Sequence, residues 1–400
     1  MDSNINKKMD FYPILLVIGI VFVAFNLRPA ITSVGPIIGI IRDDIGFANW
    51  NVAFIMSLPL IAFAVLSPIT PIVANRLSNE ITLIIGLIIL IIGISLRSIS
   101  MVFFLFIGTL LVGLGIAICN VLLPSIIKDK FPLKVALMTG IYSTSMGIVA
   151  TIASGISYPL TIGMQLGWQL SLLIWVIPVV IALVIWLFIY RQANQQQKNG
   201  VKFYEAHSSG IWKSKLAWKV ATFMGLQSLI FYVTISWLPE MLISFGMSES
   251  AAGFMLSYFQ FVGIPASFII PVVAGKLSSQ AKLIVIINIG YIIGIVLLLL
   301  THSFMTTIIA VTIIGISSGS NFALALTLLS FRAKDKIQAA ELSGMAQSFG
   351  YSLAAIGPVL IGYLYDLTHT WIIPLILLIG IALLIIYFGF YAGQNKYVLE

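Results

Sequence analysis

The chain has 400 residues, of which 60% are hydrophobic and only 8% are charged. This composition lies far outside that of soluble globular proteins and indicates a protein surrounded by lipid. The net charge of +8 does not indicate a nucleic-acid partner, because the basic residues form no patch interleaved with aromatic residues. One cysteine and three scattered histidines indicate neither a disulfide framework nor a zinc cluster, so no metal and no cofactor is expected.

Apolar stretches of about 20 residues, the length that crosses the hydrocarbon core, recur along the whole chain. Twelve membrane helices are predicted, at about residues 13–41, 50–72, 80–98, 101–127, 136–160, 168–190, 216–243, 250–273, 281–301, 304–330, 338–365 and 370–392. The first stretch is too long for a cleaved signal peptide and is read as a retained span. The fold class is therefore an all-α polytopic membrane protein.

One long polar insert separates the first six spans from the last six. Residues 191–215 are rich in Gln, Lys and Ser, which is typical of a flexible linker. We therefore predict an N-terminal six-helix bundle at 1–190, a cytoplasmic linker at 191–215 and a C-terminal six-helix bundle at 216–400.

The positions of lysine and arginine predict the orientation. Of the 21 basic residues, all except Arg28, Arg42 and Arg97 fall on one side of the predicted membrane, which the positive-inside rule makes the cytoplasmic side. Both termini are then cytoplasmic, in a multi-pass protein of the cytoplasmic membrane. Arg42 and Arg97 are assigned to the exterior and Arg28 to the interior of the first span. Trp and Tyr near span ends, such as Trp168 and Trp371, are expected in the interfacial aromatic belt.

Part of the chain occurs twice. Residues 71–85, PIVANRLSNEITLII, return as residues 271–285, PVVAGKLSSQAKLIV, and Arg76 is matched by Lys276. Six spans separate the two copies, so both have the same orientation across the membrane. A parallel twofold repeat in so apolar a chain is typical of transporters.

More specific strings occur within the spans. They are Asn26-Leu-Arg28-Pro-Ala30, Gly113-x-Gly-x-Ala-x-x-Asn120-Val-Leu-Leu-Pro124, Trp237-Leu-Pro239, Ala323-Leu-Ala-Leu-Thr327 and Met345-Ala-Gln-Ser-x-Gly-Tyr351. With them the chain resembles the cyanate/2-nitroimidazole transporter family of the major facilitator superfamily. The resemblance implies the major facilitator fold with two pseudo-symmetric six-helix halves, and a monomeric permease for a small, flat, anionic or weakly polar solute. It also implies that Arg76 and Lys276 belong to a cytoplasmic gate, for which plain positive-inside charge is the alternative.

Arg28 is the first candidate for contact with the solute. It lies roughly 22 Å along the first span at 1.5 Å per residue from Pro13, and an arginine at such depth is normally paired or faces an aqueous cavity. We find no acidic residue at a comparable depth in the predicted spans, so the planar guanidinium suits a flat anion. A structural arginine bonded to neighbouring carbonyls is the alternative.

Neutral polar and aromatic side chains complete the predicted solute-binding set. They are Asn26, Asn120, Tyr142, Gln227, Tyr232, Gln260, Asn321, Gln347 and Tyr351. Gln347 and Tyr351 are four residues apart and share a helical face. For each amide, a hydrogen bond between helices is the alternative.

The predicted function is uptake of the solute by alternating access of the two halves. The proton is a candidate coupling ion, because an anion that enters a cell moves against the membrane potential. The main alternative is a proton-coupled exporter of drugs or metabolites, although the fifth span lacks the Gly-Pro motif typical of such antiporters. A non-transporting receptor or scaffold is a remote alternative. An enzyme is not expected, since the sequence has neither a P-loop nor a zinc-protease motif.

Overall fold

The computed structural model describes residues 2–46, 49–197, 210–300 and 303–399, and these residues contain helices and turns but no strand. The chain divides into two compact units. The first unit consists of Met1–Ile126 with Ile148–Ser208, and the second of Ile127–Gly147 with Ser209–Glu400. The predicted division of the sequence at residues 190 and 215 stays a prediction.

Ten α-helices precede the polar insert in the part of the chain that the structure describes. They are α1 (Asp2–Ala24), α2 (Pro29–Thr32), α3 (Ile38–Ile45), α4 (Asn49–Leu66), α5 (Thr70–Leu77), α6 (Asn79–Arg97), α7 (Val102–Lys130), α8 (Val135–Tyr158), α9 (Gly167–Leu173) and α10 (Val176–Gln197). Helix α10 continues through Gln197, into the first part of the predicted linker. Residues 198–209 of that linker lie outside the described part of the chain.

Six α-helices follow the insert among residues 210–300 and 303–399. They are α11 (Lys215–Ser244), α12 (Glu249–Lys276), α13 (Ala281–Leu300), α14 (Phe304–Phe331), α15 (Lys336–Thr368) and α16 (Ile372–Ala392). Polar N-caps begin several of them, because a side-chain oxygen satisfies an N–H of the first turn. Ser214 accepts from the Ala217 N–H at 3.2 Å, and Asp335 accepts from the Gln338 N–H at 2.9 Å.

The membrane-spanning capacity agrees with the twelve predicted spans. Eleven segments among the described residues are long and apolar enough to cross a membrane, and a bent pair of helices raises the number to as many as twelve. The bent pair, Leu58–Leu66 and Thr70–Leu77, occupies the place of the predicted second span. The first span, Tyr12–Ile37, is broken between α1 and α2.

Small residues allow close helix packing within the second unit, as is usual for membrane helices. Helix α11 packs on α15 and α16, and α12 packs on α14. A Cβ atom added to Gly319 of α14 would lie 2.3 Å from the carbonyl oxygen of Gly263 on α12. No side chain fits at this crossing, so the two backbones are in contact.

Two tryptophans expected in the interfacial belt are buried. Trp168 is 2% exposed and donates its Nε1–H to Asp44 Oδ2 at 2.8 Å in the first unit. Trp371 is 4% exposed, and its ring stacks on Tyr365 with centroids 4.3 Å apart in the second unit. Each indole packs against a neighbouring helix, and its place in an interfacial belt stays a prediction.

Candidate functional site

The first span is interrupted at Arg28 and Pro29. Helix α1 ends at Ala24, and α2 begins at Pro29 with Arg28 as its N-cap, at φ −125° and ψ −36°. Proline has no N–H to donate and disfavours helical geometry in the residue before it, which favours an interruption here. The Arg28 carbonyl accepts the N–H groups of Ile31 and Thr32 at 2.8 and 2.9 Å, which starts the new turn.

Neutral side chains hold the backbone on both sides of the break. The Asn26 Nδ2 donates to the carbonyl of Phe22 at 2.6 Å and to that of Pro178 on α10 at 3.1 Å. The Thr32 hydroxyl donates to the carbonyl of Ala150 on α8 at 3.2 Å. Non-helical backbone at membrane depth is tolerated where it is buried in protein or lines a cavity, and these contacts supply part of that burial.

A third anchor is the guanidinium of Arg97, the last residue of α6. Its Nη1 donates to the carbonyl of Ala30. The sequence pattern predicts an exterior charge here, but the side chain is 1% exposed. Gly108 of α7 lies against it, since a Cβ added there would lie 2.3 Å from the Arg97 backbone nitrogen. Close packing of three helices, which no local pattern reveals, therefore buries this arginine.

The first unit contains three of the predicted solute-binding residues. Asn26 and Asn120 are buried, at 3% and 5% exposure, whereas Arg28 is half-buried. Of these three side chains, Arg28 alone keeps an appreciable accessible surface. The Asn26 amide group donates to two carbonyls, so its observed role is to hold the backbone.

The second unit brings together two predicted aromatic residues. Tyr232 of α11 and Tyr351 of α15 meet edge to face, with ring centroids 6.5 Å apart and an interplanar angle of 68°. Gln347 lies one turn from Tyr351, is fully buried, and donates to the Ser343 hydroxyl at 2.8 Å. Tyr142 of α8 is also fully buried in this unit.

The remaining predicted amides differ in their hydrogen bonding. Asn321 of α14 and Asn288 of α13 exchange two amide hydrogen bonds, at 2.9 and 3.1 Å. Gln227 donates to the hydroxyl of its neighbour Ser228 at 2.8 Å. Gln260 of α12 is half-buried, and its side chain makes no hydrogen bond to any residue that the structure describes. Asn321 therefore has the role that the sequence left as an alternative, a bond between helices.

The two predicted gate residues are exposed. Arg76 and Lys276 lie in the last turns of α5 and α12, and neither forms an ion pair with a described residue. Ion pairing in the second unit runs instead through Asp129 at the end of α7, whose carboxylate lies 3.2 Å from Lys336 Nζ and 3.1 Å from Lys130 Nζ. The sequence predicts basic clusters at 128–134 and 332–336 beside the gate residues, but not the carboxylate of Asp129 that pairs with their lysines.

A second feature absent from the sequence prediction is a clamp on the C-terminal tail. Arg332 follows α14 and is 2% exposed. Its Nη2 donates to Gln280 Oε1 and its Nη1 to the Lys396 carbonyl at 3.4 Å, while its own carbonyl accepts the Val398 N–H at 2.8 Å. Burial lowers the pKa of Arg332 to about 10, so the guanidinium stays charged at neutral pH. We call these contacts the tail clamp.

Comparison with known protein families gives a match along most of the chain. The model of the Major Facilitator Superfamily matches residues 15–358. The chain is 46% identical over 398 residues to the uncharacterized transporter YycB of Bacillus subtilis, covering 99% of this chain and 97% of that protein. It is 38% identical over 385 residues to the 2-nitroimidazole transporter of Escherichia coli, covering 96% of each. It is 22% identical over 355 residues to the cyanate transport protein CynX of E. coli, covering 88% and 90%.

Solved structures show the same fold. The proton:xylose symporter XylE superposes with a TM-score of 0.76 at 12% identity, over 98% of both chains. FucP in the outward conformation superposes with a TM-score of 0.74 at 14% identity, over 96% of this chain and 100% of that one. At such low identity the likeness concerns the fold alone.

Proposed function

This chain belongs to the Major Facilitator Superfamily, and we propose that it carries a small, flat, anionic or weakly polar solute into the cell. Transport proceeds by alternating access. The solute class comprises cyanate-like anions and nitroimidazole-like rings. The protein acts as a monomer in the cytoplasmic membrane, with both termini in the cytoplasm.

The observation that carries the proposal is the broken backbone of the first span at Arg28. The break places a half-buried guanidinium next to turns that are tied to α6, α8 and α10. A guanidinium presents its donors as a planar fork, which matches a flat anion with two acceptor atoms. Because neighbouring helices already fix this backbone, less ordering is required when the solute binds. Arg28 is therefore the proposed anion-recognising residue.

Aromatic and amide groups of the second unit are proposed to contact the flat faces and polar edges of the solute. Tyr232 and Tyr351 already meet edge to face, an arrangement that aromatic rings favour. Gln260 is half-buried with no hydrogen bond to a described residue, so its amide is available. Gln347 lies one turn from Tyr351 and is proposed to act with it.

Not every residue of the predicted solute-binding set is proposed to contact the solute. Asn120, Tyr142 and Gln227 remain proposed solute contacts. Asn26 and Asn321 do not, because the first donates to two backbone carbonyls and the second is engaged with Asn288. Their proposed contribution to transport is to keep the helices in place.

The relatives support the proposed solute class. A protein 38% identical to this chain is a 2-nitroimidazole transporter, and one 22% identical is a cyanate transport protein. Cyanate is a linear anion of three atoms, and 2-nitroimidazole is a planar ring with a nitro group. A guanidinium suits the anion, and aromatic side chains suit the planar ring.

Proton coupling is proposed because of the membrane potential. Inward movement of one negative charge costs about 2.3 kcal/mol per 100 mV. No Asp or Glu side chain is fully buried among the described residues, so no such carboxylate is placed to carry a proton across. We propose that the proton travels with the solute, which crosses as its conjugate acid or with a compensating proton.

The cytoplasmic gate is proposed to depend on charge. Arg76 and Lys276 stand at equivalent places in the repeated connections. The ion pair between Asp129 and Lys336, at 3.2 Å, is proposed to strengthen the closed state of this side. Opening toward the cytoplasm then requires this pair to separate.

Flux measurements test the proposed function. The purified chain is reconstituted in liposomes, and uptake of labelled cyanate and 2-nitroimidazole is followed with and without an inward proton gradient. We expect influx of both solutes above that of protein-free liposomes, with cyanate influx increased by the gradient. In whole cells an uncoupler should lower accumulation, whereas an exporter would show the opposite change. Absence of both flux and binding for both solutes would contradict the proposal.

A further inference from the structure

We infer that Arg97 is a second cationic residue of solute recognition, which positions the broken first span and favours anionic over neutral solutes. The inference rests on the proposed function, since it requires that a solute anion bind at Arg28. Three observations carry it: the place of the Arg97 contact, the hydrogen-bonding capacity that this contact leaves unused, and the rigidity of the surroundings.

The contact joins Arg97 to the segment that Arg28 begins. The guanidinium donates to the carbonyl of Ala30, two residues beyond Arg28 and within the four-residue helix α2. Helix α6 has 19 residues and ends at Arg97, so it is about 28 Å long at 1.5 Å per residue. Ala30 is therefore level with the end of α6 that lies away from the repeated connection, on the side predicted to be exterior.

Arg97 has more hydrogen-bond donors than a structural clamp requires. A guanidinium has five N–H donors, yet Nε and Nη2 of Arg97 have no hydrogen-bond partner among the described residues. The other two anchors of the break, Asn26 and Thr32, are neutral and perform the same task. Burial of a charge is costly, so a neutral donor would stabilise this carbonyl at lower cost. Anchoring of the Ala30 carbonyl therefore does not explain why the residue at position 97 is charged.

The surroundings hold Arg97 in place. Gly108 allows α7 to touch the backbone of Arg97, and a Cβ added there would lie 2.6 Å from the Arg97 Cβ. Gly93, one turn earlier on α6, also touches the backbone of α7, since its added Cβ would lie 2.6 Å from the Val112 nitrogen. A charge on so closely packed a helix end gives a fixed electrostatic potential, which needs no rearrangement when a solute arrives.

The expected consequence is a preference for negative charge. Arg28 is the N-cap of α2, and Arg97 of α6 donates to the Ala30 carbonyl of the same short helix. A bound anion relieves the mutual repulsion of these two positive charges. A unit charge on the order of 10 Å away changes the affinity for an anion by about tenfold at an effective dielectric constant near 20. A neutral solute interacts weakly with the same charge. Arg97 is therefore expected to change the ratio of the affinity for an anionic solute to the affinity for a neutral one, rather than to change both affinities equally.

The experiment compares an anionic with a neutral probe. Dissociation constants of cyanate and of N-methylated 2-nitroimidazole, which has no ionisable N–H, are measured for the purified full chain. The variants are Arg97→Gln, Arg97→Lys and Arg28→Gln, with Lys282→Gln as a control that removes an exposed charge. We expect Arg97→Gln to weaken cyanate binding about tenfold and to leave the neutral probe nearly unchanged. Arg97→Lys keeps the charge and should retain the affinity ratio.

The outcomes separate this inference from the proposed function. Equal weakening of both probes in Arg97→Gln would show a purely structural role and overturn the inference. The inference would also be overturned if Arg97→Gln bound cyanate as tightly as the unaltered chain while Arg28→Gln lost cyanate binding. In that case the proposed function stands. If Arg97→Gln does not fold, the Arg97→Lys variant tests the inference instead. A lower ratio of cyanate affinity to neutral-probe affinity in this variant, despite the retained charge, would overturn the inference. An Arg28→Gln variant that binds cyanate like the unaltered chain overturns both.

Discussion

The two copies of the repeated connection differ in shape although their sequences match. In the first copy, helices Leu58–Leu66 and Thr70–Leu77 meet at 53°. In the second, α12 runs without interruption from Glu249 to Lys276. At the offset of the repeat, Pro68 corresponds to Phe268. Because proline removes a helical hydrogen bond and collides with the preceding turn, Pro68 favours the bend at this place. Helix α12 stays continuous through Pro265 and Pro271, so the position of the proline and its surroundings decide whether the helix breaks.

The two copies also differ in the hydrogen bonding of a pair of equivalent serines. The hydroxyl of Ser67 is buried and has no hydrogen-bond partner among the described residues. The hydroxyl of Ser267 donates to the carbonyls of Gly263 at 3.0 Å and of Gly319 on α14 at 3.3 Å. The second copy is thus tied to a neighbouring helix by a side chain that is unused in the first.

Polar residues within the two copies also have different partners. In the first copy, Asn79 donates to the Ser125 hydroxyl at 3.1 Å. In the second, its counterpart Ser279 donates to the carbonyl of Gly393 at 3.0 Å, and the next residue, Gln280, accepts from Arg332. The comparison teaches that a repeat in sequence supplies equivalent helices, whereas their surroundings decide how firmly each copy is held.

The largest expected effect comes from introducing into the second copy the proline that is present at the bend of the first copy. Phe268→Pro should lower the free energy of unfolding by about 3 kcal/mol or more, because it removes a hydrogen bond inside α12. Phe268→Leu is the matched control, and its expected cost is small since the side chain is 38% exposed. Unfolding in mixed micelles measures both. Equal stability of the two variants would mean that proline is not the cause of the bend in the first copy.

The tail clamp gives the next largest effect. Arg332→Met should lower the free energy of unfolding by about 2–3 kcal/mol, because Gln280 Oε1 and the Lys396 carbonyl lose a charged donor. Lys282→Gln, which alters an exposed charge two residues from Gln280, should change it by less than about 0.5 kcal/mol. Limited proteolysis should cut the tail sooner in Arg332→Met. An equally protected tail in both variants would show that the clamp does not hold it.

A smaller effect distinguishes the serines. Ser267→Ala should cost about 1 kcal/mol, because it removes the hydrogen bonds that join α12 to α14. Ser67→Ala should be nearly neutral, since the hydroxyl it removes has no partner among the described residues. The two substitutions are compared by thermal unfolding of the purified chain. A greater loss at Ser67 would reverse the proposed difference between the copies.

The smallest expected effect concerns the amide pair beside the second copy. Asn321→Leu should cost about 0.6 kcal/mol, the average for a polar contact between membrane helices. It should leave the affinity for cyanate unchanged, because the Asn321 amide is bonded to Asn288. The counterpart of Asn288 in the first copy is Ile88, so no such pair forms there. Weaker cyanate binding by Asn321→Leu would return Asn321 to the solute-binding set.

The number of spans and their repeat could be predicted because lipid requires long apolar helices, and this requirement is local. The break at Arg28 was partly evident, since Pro29 follows a buried charge. The burial of Arg97 was not, because Arg97 and Arg42 look alike as charges at span ends. The approach of α7 at Gly108 and of α2 at Ala30 is what covers Arg97. Such contacts join residues far apart in the chain, which periodicity cannot reveal.

The most direct test of the account is equilibrium binding of cyanate to Arg28→Gln and Arg28→Lys. Loss of a charged hydrogen-bonded pair should weaken binding in Arg28→Gln by about 2–3 kcal/mol, or roughly 30- to 150-fold. Arg28→Lys should recover part of this loss, because it keeps the charge without the planar fork. The account predicts this order of affinities at equal thermal stability. Cyanate binding by Arg28→Gln as tight as by the unaltered chain would contradict it.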